Sequence, residues 1–268
     1  MTLRAPLVFC LMFAGIANVS GAPSTVILEE LTWTEVRDRI ASGTATVIVP
    51  IGGTEQNGPH MVLGKHNVRV KVLAEKIARA LGNALVAPVI AYVPEGQINP
   101  PVAHMRFPGT ISVADDTFRK VLDSAARSLR QHGFRDIVFI GDHGDYQKTM
   151  QAAATALNRE WNKSAAPPAA RAHAIEEYYL AAAAGFPHLL KEKGFHDDEI
   201  GTHAGLADTS LALAVEPGLV RNDRMALPPA NKDGVNGDPR RASAELGRLG
   251  VGLIVNSTVA AIRRAIQR

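Results

Sequence analysis

The sequence contains a single cysteine, Cys10, which lies in an apolar run near the N-terminus. The rest of the chain has none, which excludes a disulfide framework, a thiolate nucleophile and a cysteine-ligated metal. It also lacks a basic stretch interleaved with aromatic residues, so nucleic acid is not expected as a partner. Neither a Gly-Lys-Ser/Thr phosphate loop nor a nucleophile-elbow serine is present. Any metal must therefore be held by histidine, carboxylate or neutral oxygen donors.

The N-terminus has the pattern of a secretory signal peptide. Arg4 precedes the apolar run 7–17, and small residues follow at 20–22. The run is too short to span a bilayer comfortably. We therefore predict a signal peptide over residues 1–22, a secreted or periplasmic protein, and no membrane span after signal removal. A buried N-terminal helix or an uncleaved anchor is the alternative.

Strand-like and helix-like segments alternate along the rest of the chain. Apolar residues that repeat at spacings of three and four predict a helix over residues 115–132, and further helices are predicted over 68–81 and 206–215. Short apolar runs predict strands at 46–51, 84–92, 136–141 and 170–174. Such alternation indicates an α/β fold with a mostly parallel central sheet covered on both faces, in three layers α/β/α. Residues 23–268 are predicted to form a single domain.

Polar side chains cluster where two of these strands end. Glu55 follows strand 46–51, with His66 a few residues on, and His143 and Asp145 follow strand 136–141. Sites in such sheets form beyond the carboxyl ends of the strands. Carboxylates and imidazoles gathered there suit a divalent metal such as zinc or manganese. Taken one at a time, these residues could instead cap helices or lie in solvated loops.

Four segments resemble motifs of the creatininase family of amidohydrolases, in the same order along the chain. They are PIGGTEQNGPH at 50–60, HMRFPGT at 104–110, HAGLADTS at 203–210 and GVNGDP at 234–239. The resemblance runs from about residue 47 to residue 264, nearly all of the chain after the signal. It implies an α/β/α fold, usually a homo-hexamer, and a two-metal site that hydrolyses C–N bonds in small, often cyclic amides.

The resemblance also implies roles for individual residues. Glu55 and His143 match ligands of one metal, and Asp145 matches a ligand of the second. His203 matches a residue proposed to handle protons, and Asp208 a carboxylate near the site. We therefore expect metal ligands at Glu55, His66, His143 and Asp145, catalytic residues at His203, Asp145 and Asp208, and substrate-binding residues at Asn57, His60, His104 and Glu199.

Three departures from the family pattern bear on the metal and the substrate. Asn57 stands in place of a histidine ligand, and His66 in place of the aspartate that bridges both metals. A neutral imidazole has one free lone pair and cannot bridge. We therefore expect one firmly bound metal, with the second site weakened. Gly144 and Glu199 stand where creatinine-hydrolysing members have aromatic residues, so creatinine is not the expected substrate.

The predicted function is metal-dependent hydrolysis of a C–N bond in a small amide by a metal-activated water. Asn57 and His66 also leave open a non-catalytic, periplasmic ligand-binding member of the family. Lactone or formamide hydrolysis is a further alternative, because the same polarised carbonyl chemistry serves all three bonds.

Overall fold

The computed structural model describes residues 24–163, 169–228 and 233–267. Its central sheet contains β1 (Thr46–Ile51), β2 (Ala84–Val86), β3 (Asp136–Gly141) and β4 (Arg171–Ala174). The strands pair in parallel in the order β2-β1-β3-β4. The signal peptide predicted over residues 1–22 lies outside the described residues and stays a prediction.

Helices surround this sheet. The longer ones are α1 (Trp33–Ala41), α2 (Lys65–Leu81), α3 (Asp115–Gln131), α4 (Gln147–Trp161), α8 (Leu206–Val215) and α10 (Ala244–Ile266). The shorter ones are α5 (Glu177–Leu180), α6 (Phe186–Glu192), α7 (Asp197–Ile200) and α9 (Asn222–Met225), and a π-helical turn, Ala181–Gly185, joins α5 to α6.

Alternate residues of the strands point to opposite helical layers, as the two-residue period of a strand requires. Val47 and Val49 of β1 pack with residues of α3 and α4 on one face. Ile48 packs with residues of α2, α5, α8 and α10 on the other face. The predicted α/β/α architecture with a parallel sheet is confirmed.

The start of α2 differs from the sequence-based expectation of a helix over residues 68–81. The helix begins at Lys65, after a Gly64 whose lack of a side chain leaves no capping signal. His66 therefore lies in the first helical turn and is buried, rather than in a solvated loop. A helix terminus holds it at a fixed distance from the strand ends.

Helix α10 is long and apolar enough to cross a membrane by length and composition, which is weak evidence on its own. In the fold it packs along α8 and α2, and Gly247 and Gly250 are buried there. Contact with other helices thus accounts for part of its apolar surface.

Gly247 and Gly252 lie in the same helix, but their surroundings differ. A Cβ atom at Gly247 would overlap the carbonyl oxygen of Ser210 in α8, whereas Gly252 has open space around it. We expect Gly247→Ala to lower the free energy of unfolding by about 1–3 kcal/mol through overpacking. Gly252→Ala should raise it by about 0.5–1 kcal/mol through helix propensity. Urea unfolding measures both, and equal effects would contradict the α8–α10 packing.

Candidate metal centre

Three neighbouring segments of chain leave the sheet at the same edge. Ile51, at the end of β1, pairs with Gly141 of β3 and forms a parallel bridge with Ile90 on its other side. The residues that follow these positions therefore emerge side by side, at the carboxyl ends of the strands. Glu55 follows β1, and His143 follows β3.

Glu55 is fully buried and lies at the centre of the site. Its Oε1 is 2.7 Å from Nε2 of His66 and 3.8 Å from Nδ1 of His203. Its Oε2 is 3.3 Å from Nε2 of His104 and 3.2 Å from Nε2 of His143. Burial raises the pKa of Glu55, but its interactions with the His143 and His66 imidazoles outweigh burial and hold the pKa far below its usual range. The carboxylate is therefore charged and available to a cation.

Asp142 fixes the orientation of His66. Oδ2 of Asp142 is 2.6 Å from Nδ1 of His66, and Arg69 and Tyr178 donate hydrogen bonds to the same carboxylate. The Nδ1 proton of His66 thus points at Asp142, which leaves Nε2, the nitrogen that faces Glu55, as the atom that would bind a metal. Histidines that bind metals commonly have such a carboxylate behind the ring.

Two groups of side chains each bring three potential ligand atoms within 4.8 Å of one another, and they share Glu55. The first is Glu55, His66 and His143, and the second is Glu55, His104 and His203. Mixed nitrogen and oxygen donors of this kind suit zinc or manganese. The first group contains three of the four ligands expected from the sequence.

The second group is less suited to bind a metal, because hydrogen bonds with Gln56 fix which ring nitrogens of His104 and His203 carry protons. The side-chain nitrogen of Gln56 is 2.9 Å from Nδ1 of His104, and the amide's orientation is set by Gly58, whose main-chain N–H donates to its oxygen. An amide nitrogen donates, so Nδ1 of His104 accepts and the ring proton lies on Nε2. His203 donates from Nε2 to the main-chain oxygen of Gln56 at 2.9 Å, which leaves its Nδ1 lone pair facing Glu55.

His143 is less constrained than His104. Its Nδ1 receives a long hydrogen bond, 3.3 Å, from the main-chain N–H of Asp145. Binding a metal through Nε2 would move the ring proton to Nδ1 and open only this weak contact. Burial lowers the pKa of His143, but Glu55 and Glu95 outweigh it and raise the pKa to about 9. The first group is therefore the favoured metal site.

Glu95 is the acidic residue that the sequence analysis missed. It is fully buried, and its Oε2 is 3.4 Å from Nε2 of His143. Burial raises the pKa of Glu95 to about 8, with His143 opposing the shift and Glu55 reinforcing it. No motif marks Glu95, and the only sequence signal is its position just beyond the apolar run 84–92.

The donor set fits a divalent metal by a second criterion, unpartnered oxygen atoms. Oε2 of Glu55 and both carboxylate oxygens of Glu95 are buried without a hydrogen-bond partner among the described residues. Buried polar atoms are nearly always paired, and a divalent ion would satisfy these oxygens. The expected zinc or manganese is thus matched by residues that converge in the fold.

A cavity of about 380 Å³ opens beside the ligand group. Its polar side is formed by four imidazoles and five charged side chains, namely His66, His104, His143, His203, Lys65, Arg69, Asp142, Asp145 and Asp208. Its apolar side is formed by Tyr179, Ala182, Ala183, Pro187 and Leu211. Part of this wall comes from the helical segment 177–192, which the sequence analysis did not identify as helical. The volume lies within the range of small-molecule sites.

Asp208, expected to be catalytic, is occupied by ion pairs. Arg69 donates from Nη1 to Oδ1 at 2.6 Å, and Lys65 and the main-chain N–H of Ala204 both contact Oδ2. Burial opposes ionisation, but the charges of Lys65 and Arg69 hold the pKa of Asp208 well below its usual range. A carboxylate that remains charged and is paired in this way is a poor base. Asp208 instead supports the loop that carries His203.

Asn57 and His60, expected to bind substrate, are buried away from the cavity lining. Nδ2 of Asn57 donates to the main-chain oxygen of Glu55 at 2.9 Å, within the turn that follows β1. Nε2 of His60 lies 2.9 Å from Oγ1 of Thr209 in α8. Both side chains are used to shape the loop around Glu55. His104, the third residue of this expected set, does line the cavity.

Glu199 and Asp145 also differ from their expected positions. Glu199 caps α7 and forms an ion pair of 2.7 Å with Arg241, outside the cavity lining. Asp145 lines the cavity, but it is exposed and belongs to neither ligand group. Its main-chain N–H donates to Nδ1 of His143 at 3.3 Å.

The sequence model of the Creatininase family, described as creatinine amidohydrolase, matches residues 29–262. The chain belongs to the creatininase family. This confirms the resemblance carried by the four motifs. It also confirms that the protein is an enzyme, because the family members matched by this chain are hydrolases.

Relatives in this family act on different compounds. The chain is 28% identical over 215 residues to creatinine amidohydrolase of Pseudomonas putida, covering 77% of this chain and 78% of that protein. It is 26% identical over 196 residues to 3-dehydro-scyllo-inosose hydrolase of Thermotoga maritima, covering 69% and 57%. It is 26% identical over 253 residues to mycofactocin precursor peptide peptidase of Mycobacterium tuberculosis, covering 84% and 88%.

Solved creatininases share the fold. One creatininase crystal structure superposes with a TM-score of 0.74 at 26% identity, covering 91% of this chain and 98% of that one. A manganese form gives a TM-score of 0.74 at 27% identity, covering 90% and 98%. A mutant creatininase of Zn–Zn type gives 0.74 at 27% identity, covering 91% and 99%. Zinc and manganese are thus the metals of the similar structures.

The buried ion pairs of Arg69 can be tested against an exposed arginine. We expect Arg69→Met to lower the free energy of unfolding by about 3–5 kcal/mol, because Asp142 and Asp208 would each lose a buried partner. Arg127→Met is the matched control, because Arg127 pairs with two carboxylates at the surface and should cost less than about 1 kcal/mol. Urea unfolding measures both, and a similar loss in both variants would contradict a structural role for the buried pairs.

Proposed function

We propose that this creatininase-family hydrolase cleaves a C–N bond of a small amide, with a divalent metal held by Glu55, His66 and His143. The observation that carries the proposal is the convergence of these ligands on a cavity that His203 also lines, with its Nδ1 on the side of Glu55. When bound, such a metal lowers the pKa of a water molecule and polarises the substrate carbonyl.

His203 is the residue that we assign to proton transfer. Burial, reinforced by the charge of Lys65, lowers the pKa of His203 to about 4, so the ring is neutral at pH 7. Its free Nδ1 lone pair lies 3.8 Å from Oε1 of Glu55, on the side of the metal ligands. From there the ring can accept a proton from the attacking water and pass it to the leaving nitrogen.

The loop around His203 is built to hold that position. Ala204 has a left-handed backbone, with φ of 56°, and its N–H is bound by Asp208 at 3.0 Å. Residues other than glycine rarely adopt this conformation, and those that do cluster at functional sites. The surrounding contacts therefore fix the direction in which the imidazole points, which is the preorganisation that proton transfer requires.

The cavity favours a small substrate with one apolar side. Tyr179, Pro187 and Leu211 would contact that side, while the amide carbonyl faces the imidazoles. A Cβ atom at Gly144 would lie 2.6 Å from the hydroxyl of Tyr179, so the glycine leaves this ring the space that it occupies. Cyclic amides are the first class to test, with lactones and formamides as alternatives. The relatives' different substrates support the shared chemistry rather than one compound.

The cell compartment and the assembly are further proposals. The N-terminal pattern of residues 1–22 supports export to the periplasm or the medium. The family resemblance supports a homo-oligomer, with a hexamer as the expected form. Light scattering of the purified protein measures its mass, and mass spectrometry of the exported protein identifies its N-terminus.

Two histidine variants separate metal binding from proton transfer. His143→Ala should lose both bound metal and turnover, because a ligand is removed. His203→Gln should keep its metal but lose about 10²–10⁴-fold in kcat, because a proton-transfer group is removed. Elemental analysis and initial rates on the same samples measure the two effects. Full turnover by metal-depleted His143→Ala would refute the site.

The substrate class is tested by a screen of cyclic amides, lactones and formamides with zinc-loaded and manganese-loaded protein. Turnover of an amide that disappears on chelation and returns with metal is the expected result. Binding of these compounds without turnover would refute catalysis and favour a ligand-binding protein. Faster turnover of lactones than of matched lactams would reassign the bond that is cleaved.

A further inference from the structure

Glu95 is held in place by contacts that do not use its carboxylate. Its main-chain N–H donates to Oγ of Ser112 at 3.0 Å, and that hydroxyl donates to the main-chain oxygen of Gly96 at 2.8 Å. The side chain is fully buried, yet both carboxylate oxygens lack a hydrogen-bond partner within the described chain. Burying such a group is costly unless something pairs with it.

The main chain that follows β1 leaves room for the Glu95 carboxylate at Gly53. A Cβ atom on Gly53 would overlap Oε1 of Glu95. The main chain that leads to Glu55 thus passes directly against the Glu95 side chain, and only a glycine permits that approach. Two carboxylates are thereby brought to the same imidazole, since His143 Nε2 lies 3.2 Å from Oε2 of Glu55 and 3.4 Å from Oε2 of Glu95.

Both separations from His143 Nε2 match the edges of a coordination polyhedron, although Glu95 lies outside the group of ligand atoms formed by Glu55, His66 and His143. Ligand atoms placed about 2.0–2.1 Å from a tetrahedral zinc ion lie roughly 3.3 Å from one another. The charges match as well, because two carboxylates and two neutral imidazoles balance a divalent ion. With Glu55 alone, one positive charge would remain uncompensated in a buried site.

We propose that Glu95 is a fourth metal ligand, which binds the same ion as Glu55, His66 and His143. This inference rests on the metal site of the proposed function. It adds a residue that lies outside the four segments that resemble the family motifs. Glu95 supplies the second carboxylate of the site from the chain beyond β2, a part of the sequence that contains no other acidic residue between Glu75 and Asp115.

Glu95→Gln tests this directly, because it keeps the size of the side chain and removes its charge. Both proteins are stripped with a chelator and titrated with zinc against a chromophoric competitor. Loss of an outer partner of a metal ligand costs about 10–100-fold in affinity, so loss of a ligand should weaken zinc binding by more than about 100-fold. The visible absorption spectrum of the cobalt-loaded protein should also change, because the ligand field changes. Glu75→Gln, at an exposed ion pair on α2, is the control and should alter neither readout.

Thermal unfolding distinguishes a ligand from a structural residue. In the stripped proteins, Glu95→Gln should unfold at the same temperature as the wild type or higher, because the amide has the size of the carboxyl group and carries no charge that would have to be buried. Zinc should then raise the unfolding temperature of the wild type by more than that of the variant. Gly53→Ala, which displaces the carboxylate without neutralising it, should show the same weakened zinc response.

The outcomes separate this inference from the proposed function. Zinc affinity of Glu95→Gln within tenfold of wild type, with an unchanged cobalt spectrum, overturns Glu95 as a ligand and leaves the proposed function standing. Retained zinc with lost turnover has the same consequence, since it assigns Glu95 to proton handling. A wild-type protein that binds neither zinc nor manganese refutes the proposed metal function itself.

Discussion

A charged carboxylate buried at the edge of a parallel sheet is the constraint on which the rest of this structure depends. Glu55 has no exposed surface, and its charge must be balanced by groups that come from elsewhere in the chain. Imidazoles from α2, from the end of β3 and from two further loops converge on it. The pairing of Ile51 with Gly141 makes this possible, because it sets the ends of β1 and β3 side by side.

The compensation continues outward from Glu55 as an alternation of basic and acidic groups. His66 contacts Asp142, Asp142 contacts Arg69, and Arg69 contacts Asp208, which also binds Lys65. Each member is held by the next, so the orientation of the first imidazole depends on packing between α2 and α8. A network satisfied in this way costs stability if one member is removed, but it fixes the geometry of the site.

Membership of the creatininase family gives this chain a hydrolase fold and a metal-binding edge, while its own residues rework that edge. An imidazole, His66, occupies the place of a bridging carboxylate in the family resemblance, and Asp142 supports it from behind. Glu95, from a different segment of the chain, places a second carboxylate beside His143. The cavity wall also differs, because Gly144 has no side chain and the ring of Tyr179 occupies the space beside it. Related enzymes act on unlike compounds, and changes of this kind around a constant sheet edge are one physical route to that diversity.

Local pattern in the sequence was sufficient for the elements that carry the sheet. The strands 46–51 and 136–141 and the helix 206–215 have the predicted bounds, because each is a short apolar run that ends at residues unsuited to continue it. Glu55, His66 and His143 could be selected because they follow such strands and carry metal-binding groups. The start of α2 and the helical segment 177–192 were not predictable, since neither begins at a residue whose side chain caps the helix.

The sequence by itself determined the fold class, the family and the kind of chemistry, because periodicity and motif order depend on near neighbours in the chain. The tertiary structure decided which polar residues meet. Asn57 and His60 lie close to Glu55 in sequence, but Asn57 hydrogen-bonds within the loop and His60 hydrogen-bonds to Thr209 of α8. Glu95 is forty residues from Glu55 in sequence, yet it reaches the same imidazole. Such distances are set only by the packing of segments that are far apart in the sequence. Because a buried charge is costly unless it is paired, the fold brings groups that can pair with Glu55 close to it.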